Sequence, residues 1–223
     1  MLPSNRAAAK RLRAAVEPIG MSGKRHANVQ RTRDRVVDAA RQLLIEGGLA
    51  GLTMGHVARR AEVAPSTVYY QFDSKVALLG AVLDDAERRA NVDWLREALA
   101  ETDPMSALIV CIRRGCRFWF ADYALLQRLM ALSGADPQVA EVISGWNDDR
   151  LRAMDHLTER LAAAGLVPAG SKRRVASILS LATSFETFQQ LLVANVAVPD
   201  RIAATLIELC QAVLNLKPEV AAG

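Results

Sequence analysis

Cysteine is scarce in this chain, with Cys111, Cys116 and Cys210 the only three among 223 residues. They are odd in number, lack C-x-x-C spacing and fall inside apolar helical patterns, so they read as buried structural thiols, not a disulfide framework or a zinc site. Cys111 and Cys116 lie five positions apart, about 140° around a helix, so their side chains diverge. Histidine is equally sparse: His26, His56 and His156 are the whole supply. No H-E-x-x-H, G-x-S-x-G or phosphate-binding loop is present, and Gly23-Lys24 lacks the upstream glycine, so no enzyme activity, metal or other cofactor is expected. Asp148, Asp149 and Asp155 beside His156 read as a solvated helix face. No run of about 18 uncharged apolar residues occurs, and no short apolar segment follows the basic start. That excludes a helical membrane span and a secretory signal, leaving the cytoplasm as the expected location. Aromatics are only 5% and strand-like alternation is absent, which points to an all-α fold.

What is present is a core-forming composition, 51% hydrophobic with 23% charged, enough for one large domain or two small ones. The charge is unevenly placed. Residues 1–33 hold eight Lys or Arg against Glu17 alone, a net +7, while the remaining positions hold 20 basic and 23 acidic residues, a net −3. Residues 1–28 therefore read as a basic, disordered arm able to contact phosphates or to do nothing specific, with Met21 a second possible start.

Helix punctuation divides the rest. A first helix is expected from Thr32 to Glu46, with Val36, Ala40, Leu43 and Leu44 as its stripe and Gly47-Gly48 as its stop. Thr53 caps a short helix that turns Val57, Ala58 and Ala61 inward, and the chain breaks at residues 62–64. Pro65 opens a third helix, with Val68 and Phe72 inward. Asp73 or Ser74 caps a fourth, running from Lys75 to about Ala90 and burying Leu79, Val82, Leu83 and Ala86. Further helices are expected over 104–121, 123–132, 137–164, 172–196 and 199–215, with Pro218 closing the structure. The expected organisation is an arm at 1–28, a three-helix head at 29–75, a larger helical domain at 76–217 and a tail at 218–223.

Two short helices joined by a tight turn and propped by a longer one form a helix-turn-helix, sized for a DNA major groove about 12 Å wide. The outward face of the third helix carries Ser66, Thr67, Tyr69 and Tyr70, where a merely solvated helix would carry Lys and Glu. Hydroxyls suit phosphates and base edges. Lys75, Arg31 and Arg33 add cations nearby, and the helix start at Thr53 offers free N–H groups.

Leu52-Thr53, Val57-Ala58 and Ala64-Pro-Ser-Thr-Val-Tyr-Tyr-Gln-Phe-Asp-Ser-Lys-Val-Ala-Leu-Leu79 resemble the tetracycline-repressor (TetR) family over about residues 31–83. The resemblance implies a DNA-binding head, a larger helical ligand-binding and dimerisation domain, and repression relieved by a small molecule. It further implies phosphate contact by Thr53, groove-facing Pro65, Ser66 and Thr67, and a backbone clamp of Tyr69, Tyr70 and Lys75. Gly55, Pro65 and Gln71 depart from the common pattern, which shifts specificity toward Gln71, the arm and DNA shape.

In the remaining helices Trp94, Met105, Cys116, Trp119 and Phe120, with Met130, Trp146, Phe185 and Phe188, are candidates to line a ligand cavity or to fill an ordinary core. Polar groups able to orient a ligand include Arg113, Arg117, Gln127, Asn147, Glu186 and Gln189. The last helix carries two apolar stripes: Ile202, Leu206, Leu209 and Val213 on one side, Ala203, Ile207, Cys210 and Leu214 on the other. Together with Ile178, Leu181, Ala182 and Phe185 they suggest a four-helix interface between two subunits, hence a homodimer on a palindromic duplex operator. The expected function is a repressor released by a small, largely apolar effector of unknown identity. The alternative is a helical ligand-binding or scaffold protein that no longer reads DNA.

Overall fold

The computed structural model describes residues 23–90, 94–194 and 198–215; most of the arm, the tail and Pro218 lie outside the described residues. Among these residues the chain is helical and contains no strand. The helices are α1 (Gly23–Gly51), α2 (Met54–Arg60), α3 (Pro65–Gln71), α4 (Lys75–Arg89), α5 (Trp94–Ala100), α6 (Pro104–Ala121), α7 (Tyr123–Ser133), α8 (Pro137–Ala163), α9 (Lys172–Ala182), α10 (Phe185–Ala194) and α11 (Pro199–Asn215).

These helices fall into two compact units. One holds the described residues up to Asp85 together with Ala124–Trp146, the other Ala86–Tyr123 together with the chain from Asn147. In the first unit α1 begins at Gly23, earlier than the sequence suggests. Between Lys24 and Thr32 the sequence holds no Pro or Gly, and Gln30 to Asp34 and Thr32 to the Asn28 carbonyl supply local bonds four residues apart. Residues 23–28, expected in the disordered arm, are thus the start of α1. Gly48 takes φ 60°, ψ −155° and interrupts the helix, a conformation that glycine adopts without a Cβ penalty. Val36, Val37, Ala40 and Leu44 of α1 are buried with Val57, Ala58, Val68 and Phe72. Ser74, not Asp73, caps α4, accepting from the Ala77 N–H at 3.1 Å.

In the second unit α11 packs along α6, and α5 packs on α6 as well. α5 was not anticipated; it is a single seven-residue element. The Asp103 carboxylate accepts from the Ser106 N–H at 2.7 Å and starts α6, with Pro104 in the first turn. The helix expected over 172–196 is two helices, α9 and α10, parted at Thr183-Ser184. The cause is tertiary. The Thr183 hydroxyl donates back to the Leu179 carbonyl at 2.8 Å and accepts from Arg150 Nη1 at 2.9 Å, while the Trp119 indole N–H donates to the Thr183 carbonyl at 3.3 Å. Ser184 then restarts the helix by accepting from the Thr187 N–H at 3.2 Å.

All three thiols are buried, as expected of structural cysteines. Burial pushes Cys111 and Cys116 up to about 12 and Cys210 up to about 11. Unfolded thiols ionise near pH 8.5. Because the folded values lie higher, alkaline pH favours the unfolded chain: the thiol contribution to stability is constant below about pH 8 and falls as pH rises from about 9 toward 11. Urea midpoints at pH 8 and pH 10 check this, and a Cys111→Ala variant is expected to show a shallower fall.

Candidate nucleic-acid interface

The two short helices of the first unit depend on α1 for their placement. Thr53 is extended at φ −113°, ψ 151° and its hydroxyl oxygen accepts from the His56 N–H at 3.1 Å, which starts α2. Its own O–H is left to donate outward. Replacing Thr53 with Ala is expected to cost the protein about 1 kcal/mol, and Thr53→Ser to cost little, both readable by urea unfolding.

At the C-terminus of α2, Glu62 adopts φ 52°, and Arg35 donates to the carbonyls of Ala61 and, at 3.1 Å, Glu62. At the C-terminus of α3, Arg33 donates to the Gln71 carbonyl at 3.0 Å and lies 4.2 Å from the centre of the Phe72 ring. Each short helix therefore ends on a guanidinium from α1, where positive charge complements the carbonyl end of the helix. Arg60 adds a two-pronged pair to Glu46 at 2.7 Å on both oxygens, which lowers the Glu46 carboxyl below its usual range and raises Arg60. The sequence had assigned Arg33 to a phosphate; the structure engages it with Gln71 and Phe72.

What remains outward is a set of short polar groups and two phenols. Tyr69 is 59% exposed and Tyr70 84% exposed, while Val68 and Phe72 on the opposite side are buried. Pro65 and Ser66 are exposed, Thr67, Gln71 and Lys75 half-buried. Gly55, on α2, is exposed, and a Cβ built there would meet nothing within 4 Å, so packing inside the chain does not demand glycine at that position. Residues from two helices and the start of a third, far from uniform in type, share the property of projecting from a backbone fixed by buried apolar contacts and guanidinium caps.

Residues 36–82 match the model of the bacterial regulatory proteins of the tetR family. Over those residues the chain is similar to that family. Among curated relatives, the transcriptional regulator UidR of Escherichia coli K12 is 30% identical over 116 residues, covering 51% of this chain and 58% of UidR. The chain thus matches little more than half the length of that relative. The repressor KstR of Mycolicibacterium smegmatis is 38% identical over 76 residues, 34% of this chain and 37% of KstR. Among solved structures, Salmonella enterica GusR superposes with a TM-score of 0.65 at 28% identity, over 83% of this chain and 96% of GusR. FadR of Bacillus subtilis, solved with stearoyl-CoA, gives 0.64 at 16% identity over 81% and 98%, a likeness of fold alone. The fold of these structures, an N-terminal helix-turn-helix followed by a larger helical region, is also that of this chain.

The candidate cavity residues do not form one wall. Met130 and Trp146 belong to the first unit, Met105, Cys116, Trp119, Phe120, Phe185 and Phe188 to the second, and the Trp94 side chain lies outside the described residues. Phe120 is 41% exposed, whereas Cys116, Trp119 and Phe188 border one small cavity together with Thr183 and Leu206. Trp119 and Phe185 meet edge to face at 5.4 Å, as ordinary core aromatics do. Of the expected interface residues, Ala182, Ile202, Leu206 and Cys210 are buried in the chain's own core, where α6, α9 and α10 pack on α11. Ile178 and Val213 are half-buried, and Leu209 is 49% exposed. Leu181 and Val193, at 64% and 82% exposed, are the larger apolar surfaces on α9 and α10. Among the polar candidates Arg117 pairs with Asp200 at 3.1 Å and Gln189 donates to the Tyr123 hydroxyl at 3.1 Å. Sequence reasoning missed Arg35 and Arg150; Arg35 carries no signal apart from its position on α1. Among the described residues no group of His, Cys, Asp and Glu is arranged to hold a metal ion. No single helix among them is long and apolar enough to cross a membrane.

Proposed function

We propose that this chain is a DNA-binding repressor of the TetR type whose second unit binds a small effector and pairs with a second copy. The observation that carries the DNA-binding reading is the outward face of α3, with Tyr69 and Tyr70 exposed on a helix whose other side is fixed in the core. Large phenols held in water on a seven-residue helix contribute nothing to the fold, and with Thr67 and Thr53 they supply donors for phosphate oxygens. Gln71 supports adenine contact, and Gly55 lets the backbone approach the duplex closely. In the paired form two heads face successive major grooves, about 34–36 Å apart or further, which requires an inverted-repeat operator. Selection from a randomised duplex pool tests this: an enriched inverted repeat is expected, and a single unrepeated site would refute the paired reading.

Pairing is supported by the exposed Leu181, Val193 and Leu209 on α9, α10 and α11. The combined variant Leu181→Arg and Leu209→Arg is expected to sediment as a monomer at concentrations where the parent is a dimer. Unchanged sedimentation would remove this patch from the interface. An effector that prefers the released state by about 1–3 kcal/mol would weaken DNA binding about 5- to 150-fold. The continuous helix α4, which begins at Lys75 beside the head and ends in the second unit, is the element suited to carry that coupling.

A further inference from the structure

Helix α8 carries an apolar stripe of Val139, Ile143, Trp146, Met154, Leu157 and Leu161, all buried, and Arg150 stands in that stripe between Trp146 and Met154. Its side chain is only 9% exposed. Nε and Nη2 both donate to Asn147 Oδ1, at 3.1 and 2.7 Å, and Nη1 donates to the Ser180 carbonyl at 2.5 Å and to Thr183 Oγ1 at 2.9 Å. Every acceptor is neutral. Four of the five N–H groups of a guanidinium are used, leaving one on Nη2. Glu186 is the acid whose charge acts on Arg150, but its side chain is exposed and makes no ion pair with it. A desolvated cation among neutral acceptors is costly, and Leu or Met would fill the stripe without that cost. An anion is the partner that would offset that cost.

Thr183, which takes one Nη1 N–H, also borders the small cavity of the second unit, with Ile112, Gly115, Trp119, Phe188 and Leu206 on its other sides. The cavity measures about 10 Å³, close to the room of one water molecule, and its walls are mainly apolar. We propose that Arg150 anchors the carboxylate of a small amphipathic acid whose apolar body enters this cavity between α6, α10 and α11. This rests on the reading of the second unit as the effector-binding part. The free Nη2 N–H and the Nη1 N–H now held by Thr183 form the two-pronged donor that suits a carboxylate. Entry requires Phe188 and Leu206 to separate, since the acid is larger than the space. Taking Arg150 away from Thr183 and Ser180 would also act on the break between α9 and α10, which those same bonds maintain.

The test uses the full chain without DNA and two matched pairs, octanoate with 1-octanol and benzoate with benzyl alcohol, followed by calorimetric titration at neutral pH and by Trp119 fluorescence against a Trp119→Phe control. At least one acid is expected to bind tenfold or more tightly than its alcohol. Arg150→Gln is expected to erase that preference, and Thr183→Val, which keeps the guanidinium, to retain it. Equal binding of acid and alcohol, no binding of either acid, or a preference that survives in folded Arg150→Gln would overturn the proposal. The wild-type comparison stands even if the Arg150 variant does not fold. Because DNA is absent, a negative result leaves the DNA-binding reading intact, and failure of duplex binding leaves this result intact.

Discussion

Phe72→Ala is expected to destabilise the first unit by about 3–5 kcal/mol and to abolish duplex binding. Phe72 is 1% exposed at the end of α3, and its backbone N–H donates to the Val68 carbonyl at 2.8 Å to close that helix. Truncation leaves a cavity where α1 meets α3 and takes the ring from beneath the Arg33 guanidinium, a cation–π contact worth about 0.5–1 kcal/mol at a partly open site. Urea unfolding followed by helical circular dichroism reads the first effect and fluorescence anisotropy on duplex DNA the second. A folded Phe72→Ala head with unchanged stability would contradict the account of how α3 is held.

The double substitution Thr67→Ala with Tyr70→Ala is expected to behave in the opposite way. Tyr70 is largely in water and Thr67 half-buried, so stability should change by no more than about 0.5 kcal/mol. Two hydrogen bonds to charged phosphates, each about 1.5–3 kcal/mol, would be lost from the complex, lowering duplex affinity about 100-fold or more. Tyr70 lies on α3 and Phe72, two positions on, is its C-cap. Their contrast separates the side that builds the head from the side that uses it.

The head was legible because its determinants are local. Thr53 caps, Pro65 starts, Gly48 stops, and the apolar spacing of Val57, Ala58, Val68 and Phe72 marks the inward side without reference to the rest of the chain. The contacts of Arg33 were hidden for the converse reason. A cation near a groove-facing helix reads as a phosphate contact until three-dimensional packing brings it to the carbonyl end of α3, 38 positions away in the chain. The break between α9 and α10 was equally hidden, since its causes, Arg150 and Trp119, come from other helices. In α11 two stripes imply a second subunit, whereas α6, α9 and α10 already bury Ile202, Ala203, Leu206, Cys210 and Leu214 of those stripes, leaving Leu209 the most exposed. Arg150 could have been read from sequence: an arginine stands where the spacing of Trp146, Met154 and Leu157 calls for an apolar side chain.

The central claim, that α3 presents a DNA-reading face, is tested most directly by anisotropy of the parent and of Thr67→Ala with Tyr70→Ala on duplex DNA flanking the gene, at several salt concentrations. The account predicts saturable, sequence-selective binding by the parent whose logarithm falls linearly with the logarithm of salt, by about 0.9 for each phosphate neutralised, and its loss in the folded variant. Salt-sensitive binding that is the same in parent and variant would contradict it, placing the contact on the basic N-terminal residues and away from α3.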